Sequence, residues 1–566
     1  MASISQLAAG RGVDLLVFPV AALTGPVVVD YSAQEPFLSD LVETLSGLAL
    51  DVSCDCLVPV VVLEGDVPTI QAVLLRDGVA SPLGSGPQGW SDFPAGVSGS
   101  KPHAEGLTSL EASGSRVGLA FSYEDLDAWC DEPHGSDVLC YLASYGYAVD
   151  DPSSALGGAL HEGRFVDDAS ESGAWLVGVG SLGGYGTQVF SGSSFVLSPD
   201  GRLAASCAAF EEGLLVAEVG AGAVLGAEEE LAFEVYDERY HLWQSLVLGI
   251  RDYLHKLGFS DAVLALDGSL PSMLLSVLAT DALGPTHVHA LLCAEADSPR
   301  LADASRLARA LRVDVHTALE LAPSGTLSRA DLIDANLRAL ARGVDGMVLS
   351  SADKTGLALE CERWCPSAGW LAPLGDVYRI DVLDVARLRN TISSIIPGLA
   401  LVPDDVPDVG ISVPEWNLEP TLERMDASLA THVEGARGLA QVEAAVGDEQ
   451  LARAVLARFH DLDAARTLRP PCLMMSTRTL SDARMPLGFA WQDQGREVDL
   501  PRGFDPKERP LRPLRATHDK ASSGASASDG SSAPEEYQDM IREALELLRD
   551  LSVGSAPDWL GPFSEN

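Results

Sequence analysis

The stretch Leu246–Gly284, LVLGIRDYLHKLGFSDAVLALDGSLPSMLLSVLATDALG, constrains the fold more than any other part of the chain. Leu242, Leu246, Leu248, Ile250, Tyr253, Leu254 and Leu257 fall at helical spacing, and the pattern stops at Gly258, the residue type that most readily ends a helix. DAVLAL, Asp261–Leu266, is then an apolar strand-like run. Gly268 makes a turn, and Pro271–Leu283 reads as a second helix with proline in its first turn, where an N–H is not needed. A further strand, HVHALLC at His287–Cys293, and a further helix, RLADASRLARALR at Arg300–Arg312, continue the alternation. Strand, glycine turn, helix and strand in this order give βαβ units and a mainly parallel sheet.

The chain before Glu234 has a different texture. VDLLVFP (Val13–Pro19), CLVPVVVL (Cys56–Leu63), RVGLAFS (Arg116–Ser122) and AWLVGVG (Ala174–Gly180) read as buried strands separated by Gly, Ser and Pro clusters. GSSFVLSPDGRLAA (Gly192–Ala205) carries the turn Pro199, Asp200, Gly201 between two apolar runs and predicts a hairpin. Many strands with few helices point to an α/β sandwich over residues 1–230, followed by the parallel-sheet domain over 234–515. The low-complexity segment 516–536 predicts a flexible linker, and 537–551 an amphipathic helix with Met540, Ile541, Ala544, Leu545, Leu547 and Leu548 on its apolar face.

Charge excludes several functions. With 38 basic against 82 acidic residues the formal charge is −44, which repels nucleic acid and anionic membrane alike. No apolar run approaches the roughly 20 residues that cross a bilayer, and Met1–Gly12 lacks the charged and apolar regions of a secretory signal, so a cytoplasmic location is expected. The 9 cysteines are odd in number and scattered, against a disulfide framework; Cys361 and Cys365 have metal-ligand spacing but no second pair, so no metal site is expected. Lysine occurs only at 101, 256, 354, 507 and 520, which limits where a catalytic lysine can be.

The succession of sandwich, long helix, glycine-turn βαβ unit and PLGDVYR (Pro373–Arg379) resembles the glutamine-dependent NAD+ synthetases over roughly residues 1–515. Further matching stretches are VDLLVFPVAALTG (Val13–Gly25), GGYGTQVFSGSSFVLSPDGRLAA (Gly183–Ala205), DANLRALARGVDGMVLSSADKTG (Asp334–Gly356) and RTLRPPCLMMSTRTLSDARMPLGF (Arg466–Phe489). The resemblance implies an α/β fold: an N-terminal nitrilase-like α-β-β-α sandwich acting as glutaminase, and a C-terminal Rossmann-like ATP-pyrophosphatase domain. It implies ammonia released from glutamine, adenylation and amidation of deamido-NAD, ATP and Mg2+ as cofactors, and a homo-oligomer. The family fold opens with a strand and helix ahead of VDLLVFP, where this sequence has Met1–Gly12. Either the natural start lies upstream or the sandwich lacks a strand, which leaves an open sheet edge or a core gap.

Residue by residue, the resemblance sets this chain apart. A nitrilase-type amidase uses a cysteine nucleophile, a glutamate base and a lysine that holds the oxyanion. The glutamate position after the family's Phe-Pro is Val20, the cysteine position is Ser122, and the lysine position lies near Ser85 or Gly86, with Lys101 the one lysine before Lys256. Glu124 and Asp125 read as helix-start carboxylates and Cys130 as a structural thiol.

In the synthetase half, the family's Ser-Gly-Gly-x-Asp-Ser loop cradles pyrophosphate with backbone N–H groups and Mg2+ with its aspartate. Here it becomes Asp267, Gly268, Ser269, Leu270, Pro271 and Ser272, which adds an anion and removes a donor. The resemblance carries nucleotide binding onto Asp267, Gly268, Ser269, Ser272 and Lys354, and deamido-NAD binding onto Asn336, Arg342 and Asp376. Arg466, Arg469, Arg478 and Arg484 form a basic island that is either an anion pocket or a set of surface pairs. The expected function is therefore glutamine-dependent NAD+ synthesis by descent with both centres degenerate; the alternative is a non-catalytic paralogue that binds a nucleotide or co-assembles with an active synthetase.

Overall fold

A computed structural model describes residues 1–25, 34–64, 67–87, 107–131, 135–142, 145–226, 229–233, 236–293, 298–317, 328–360, 369–403, 406–484, 491, 493 and 495. Segments 516–536 and 537–551, Lys101, Cys361 and Cys365 lie outside the described residues.

Four strands, β1 (Leu15–Val17), β2 (Asp55–Glu64), β3 (Val67–Arg76) and β4 (Val79–Pro87), form a sheet in that order, parallel at β1/β2 and antiparallel elsewhere. A second sheet contains β5 (Thr108–Ala112), β6 (Ser115–Ala120), β7 (Val138–Tyr141) and β8 (Trp175–Gly178). After a two-stranded ribbon of β9 (Leu182–Tyr185) and β10 (Gln188–Ser191), β11 (Phe195–Leu197) and β12 (Leu203–Ser206) complete the second sheet. Its order is β12-β11-β8-β7-β6-β5. The antiparallel β11/β12 pair is the expected hairpin. β1 is bonded to β2 alone among the described residues.

Period-two side-chain alternation decides how these sheets stack. Leu57 and Val61 of β2, Ile70, Ala72 and Leu74 of β3, and Val138 and Cys140 of β7 enter one apolar cluster between the sheets. The alternate residues Cys56, Val58 and Val60 face helices Ala2–Ala9 and Glu35–Asp51. Leu139 and Tyr141 correspondingly face helices Tyr123–Cys130, Leu156–His161 and Arg164–Ser172. Layers of helix, sheet, sheet and helix result.

Helix Glu238–Lys256, capped by Asp237, leads into β13 (Ala262–Leu266), helix Leu270–Leu283 and β14 (Val288–Leu292). Helix Pro299–Leu311, β15 (Asp314–Thr317), helix Arg329–Val344 and β16 (Met347–Leu349) follow. The sheet is wholly parallel with order β15-β14-β13-β16. Ala262, Leu264, Leu266 and Ala290 pack on the first two helices, and Val263, Leu291 and Val348 pack on Leu337 of helix Arg329–Val344. Helix Leu270–Leu283 is buried on all sides from Ser272 to Ala279, which explains its lack of a polar face. Helices Lys354–Leu359, Arg379–Ile392, Leu418–Val433 and Glu449–Asp461 build a further apolar cluster through Leu357, Tyr378, Met425, Leu429 and Phe459.

The two halves meet where Val149 N donates to Met475 O (2.7 Å) and Met474 N to Thr187 O (2.7 Å). No described helix is long and apolar enough to cross a membrane.

Candidate functional site

In an open parallel sheet the ligand crevice forms beyond the carboxyl ends of the strands, where the strand order reverses. Here the order reverses between β13 and β16, so the turn after β13 and the segment after β16 face the same crevice. The turn holds Asp267, Gly268 and Ser269; the segment holds Ser350 to Lys354.

Gly268 sits at φ +83°, and a Cβ there would lie 2.4 Å from Arg300 O, so the turn requires glycine. Ser269 stands at the N-cap position of helix Leu270–Leu283 without a side-chain cap bond, with Pro271 in the first turn as expected. The turn is closed on its own carboxylate. Asp267 Oδ1 accepts from Ser269 N (2.8 Å), Ser269 Oγ (2.7 Å) and Ser272 Oγ (2.5 Å). Donors at a helix N-terminus are suited to bind an anion, and here the anion is supplied by the chain itself. A phosphate entering this turn competes with Asp267 for the Ser269 and Ser272 donors and lies beside its charge.

Lys354 is fully buried, with an ion pair to Asp376 Oδ1 at 2.8 Å, a second to Glu434, and hydrogen bonds to Ser476 Oγ (2.7 Å) and Arg478 O (3.0 Å). Its ammonium lies 4.9 Å from the centre of the Tyr378 ring, and Tyr378 OH donates to Glu434 Oε2 (2.8 Å). Burial opposes the charge, but the Asp376 and Glu434 carboxylates outweigh it and hold the lysine pKa above its ordinary value. Asp376, also buried, accepts through Oδ2 from Met475 N (2.9 Å), Ser476 N (3.0 Å) and Ser476 Oγ (2.8 Å). Lys354 and Asp376 therefore meet each other in the interior.

Beside them, Asp353 caps helix Lys354–Leu359 through Gly356 N and pairs with Arg379 Nε at 2.9 Å. Asp426 accepts from Thr355 Oγ1 (2.6 Å) and Ile380 N (2.9 Å), and burial pushes its carboxyl up to about 7. Asn336 and Arg342 occupy helix Arg329–Val344. The Asn336 amide donates to Leu332 O (2.7 Å), and Arg342 is exposed in the last turn.

The arginine island has no common focus. Arg466 is buried against Phe459 and donates to Phe459 O (2.6 Å) and Asp463 Oδ1 (3.0 Å). Arg469 donates to Cys472 and Ser481, and Arg478 to Asp482 O at 3.1 Å. Glu434, Asp426, Tyr378 and Ser476 were not singled out in the sequence. Their only signal there was the scarcity of lysine, which marked Lys354 as a residue needing partners.

In the sandwich, Val20 is 2% exposed and lies in the apolar cluster that also holds Phe121 and Ile70. Ser122 caps helix Tyr123–Cys130, its Oγ accepting from Asp125 N (3.2 Å), while Asp125 Oδ2 accepts from Phe121 N (2.8 Å). Both Glu124 and Asp125 are first-turn carboxylates, as the sequence suggested. Ser85 and Gly86 lie on β4 opposite Gln71 and Ile70. Val20 and Phe121, the neighbour of Ser122, thus share a cluster with Ile70, the strand partner of Gly86. Burial raises the thiol pKa of Cys54 and Cys207, of Cys56 and Cys140 to about 12, and of Cys130 to about 11. None of these thiols is a thiolate at neutral pH.

Residues 242–407 match the family described as NAD synthase. A glutamine-dependent NAD(+) synthetase of Rhodobacter capsulatus is 30% identical over 408 residues, covering 64% of this chain and 73% of that protein. One from Synechocystis is 26% identical over 362 residues, covering 59% of this chain and 64% of that protein. Among solved structures, the glutamine-dependent NAD+ synthetase of Acinetobacter baumannii, in complex with ADP, superposes with a TM-score of 0.61 at 20% identity, over 86% of this chain and 93% of that one. The Cytophaga hutchinsonii protein gives 0.66 at 12% identity, over 87% and 94%. Those likenesses carry the fold, a layered α/β sandwich joined to a parallel-sheet α/β domain. Sequence kinship over most of a relative's length, together with that fold, makes the chain a member of the glutamine-dependent NAD+ synthetase family.

Proposed function

We propose that this family member does not turn over: it neither hydrolyses glutamine nor joins ammonia to deamido-NAD, and it serves as a non-catalytic paralogue. The observation that carries this reading is the Asp267 carboxylate held by Ser269 and Ser272 in the turn where a phosphate would need those donors. Lys354 supports it, since a lysine with two carboxylates and no exposure has no free charge for a phosphate. Val20 supports it in the sandwich, because an apolar side chain in an apolar cluster takes no proton from Ser122.

The division into a glutaminase-like part, 1–230, and a synthetase-like part, 234–515, belongs to the same proposal, as do the roles carried onto Asn336, Arg342 and Asp376. Co-assembly with an active synthetase or a second copy is the role left to a chain that keeps the fold and lacks the chemistry.

The test is NAD+ formation from deamido-NAD, ATP and Mg2+ by the purified chain, with ammonia and glutamine supplied separately and an active synthetase as control. No product from either donor is expected. Product with ammonia alone would restore the synthetase half, for which the survival of Lys354 and Asp376 speaks; product with both would restore the bifunctional enzyme.

A further inference from the structure

At the opposite end of the parallel sheet from the glycine turn, the amino ends of three strands bring together an unusual set of side chains. Neighbouring strands β14 and β15 pair His289 with Asp314 and Leu291 with His316. Because side chains two apart share a face, His289, Asp314 and His316 project on one side of the sheet. Asp261, one residue before β13, faces them.

The distances describe a ligand set. Asp314 Oδ2 lies 3.3 Å from His289 Nδ1 and 3.0 Å from His316 Nε2. One donor atom from each of His289, Asp314 and His316 falls within 4.8 Å of the others. First-row divalent ions bind imidazole nitrogen and carboxylate oxygen at about 2.0–2.2 Å, so tetrahedral ligands stand roughly 3.4 Å apart. Two of the three separations already meet this, and side-chain movement of about 1 Å in the longest closes the set.

Two further features point to an ion. His316 Nε2 is buried and lies 3.0 Å from Asp314 Oδ2 without an aligned hydrogen bond to it, so the two donor atoms stand together unbonded. The far nitrogen of His289, Nε2, is held by Asp261 Oδ1 at 3.1 Å, which fixes the ring and turns Nδ1 toward Asp314. A carboxylate behind a histidine is the support that metal-bound imidazoles ordinarily have.

We infer that His289, Asp314 and His316 form a binding site for a borderline divalent first-row cation, Zn2+ by donor type, with Asp261 as the positioning residue of His289. Two imidazoles and one carboxylate leave at least one coordination position for water. The cation ties β15 to β14. β15 is the outermost strand of its sheet, and Asp314, Val315 and Thr317 are exposed, so few apolar contacts hold it. Binding releases the protons carried by the ligating imidazole nitrogens to solvent. The inference stands apart from the question of turnover, since none of these residues lies near Asp267 or Lys354 in the chain's nucleotide-side crevice.

Calorimetric titration of the chelator-treated full chain with Zn2+ alone tests it, with Co2+ absorption as a second probe. Expected is one saturable His289/Asp314/His316 ion per chain, with His316→Gln and Asp314→Asn each weakening it at least tenfold and Asp261→Asn weakening it about tenfold. The Co2+ spectrum of the wild type should show ligand-field bands without thiolate charge transfer, which separates this site from the chain's cysteines. Both Gln and Asn substitutions sit at partly exposed positions, and an unchanged far-UV circular dichroism spectrum establishes that each variant is folded. Imidazole NMR of the wild type gives a readout that needs no variant: the His289 and His316 rings should shift together at one equivalent of Zn2+. Absence of saturable binding, affinity unchanged in both variants, or a thiolate-type Co2+ spectrum would overturn the assignment.

Discussion

Lys354 is a buried cation enclosed by carboxylates and hydrogen-bond acceptors. Its ammonium is neutralised by Asp376 and Glu434 and coordinated by Ser476 Oγ and Arg478 O, all in the interior. Breaking such a cluster from one side leaves uncompensated buried charge, whereas the intact cluster adds little net stability. Lys354→Met should therefore lower unfolding stability by ~3–5 kcal/mol, read as a fall in the urea midpoint without loss of the fold at low denaturant. A loss below about 1 kcal/mol would mean that the cluster is solvated and the lysine free to serve a ligand. The sequence marked Lys354 as worth attention but could not reveal its partners, because Glu434 is 80 residues away and Ser476 122 residues away. No local pattern in a single chain encodes pairings of that span. The composition of the glycine turn, by contrast, was legible: an added carboxylate and a proline were visible at once, and only the closure of Asp267 onto Ser269 and Ser272 needed coordinates.

Among the elements, those with strong periodicity were legible in the sequence and those dictated by close packing were not. The alternation in CLVPVVVL sends Leu57 and Val61 one way and Val58 and Val60 the other, which is what a strand between two layers requires. The ribbon β9/β10 was not anticipated as a pair of strands, since Gly183 and Gly184 look like loop residues. Their purpose is proximity: a Cβ on Gly183 would lie 2.9 Å from Asp252 Oδ2, and one on Gly184 3.1 Å from Asp252 Cβ, on helix Glu238–Lys256. Gly184 N then donates to Asp252 Oδ2 at 2.8 Å. Asp426 is a comparable latch, reaching from helix Leu418–Val433 to Thr355 and Ile380 at the starts of two others. Burial raises its pKa from 3.8 to about 7, so between those values the folded chain holds a proton that the unfolded chain has lost. Stability contributed at this site falls as pH rises from about 4 to 7, and the loss is complete above 7. Asp426→Asn keeps an acceptor for Ile380 N–H and cannot ionise. Thermal melts across that range should show a flatter pH profile for the variant and a gain over wild type above pH 7. A wild-type profile unaffected by the substitution would mean that Asp426 is not held neutral.

At the scale of the whole molecule, the fold is that of the family, and in the proposed reading both centres depart from it. Selection on folding alone preserves apolar periodicity, turn glycines and helix caps, all of which are coherent here from β1 to the helices around Phe459. Chemistry needs in addition a free anion cradle, an available lysine and an ionisable base. In the proposed reading those places are filled by Asp267, by the Lys354–Asp376–Glu434 cluster and by Val20. The most direct measurement is equilibrium binding of ATP with Mg2+ to the wild type and to Asp267→Gly, by titration calorimetry. The account predicts no saturable heat for the wild type at millimolar ATP, and weak but measurable binding once the internal carboxylate is removed and the Ser269 and Ser272 donors are released. Saturable micromolar binding of ATP to the wild type would contradict it, because the turn would then accept a phosphate with Asp267 in place.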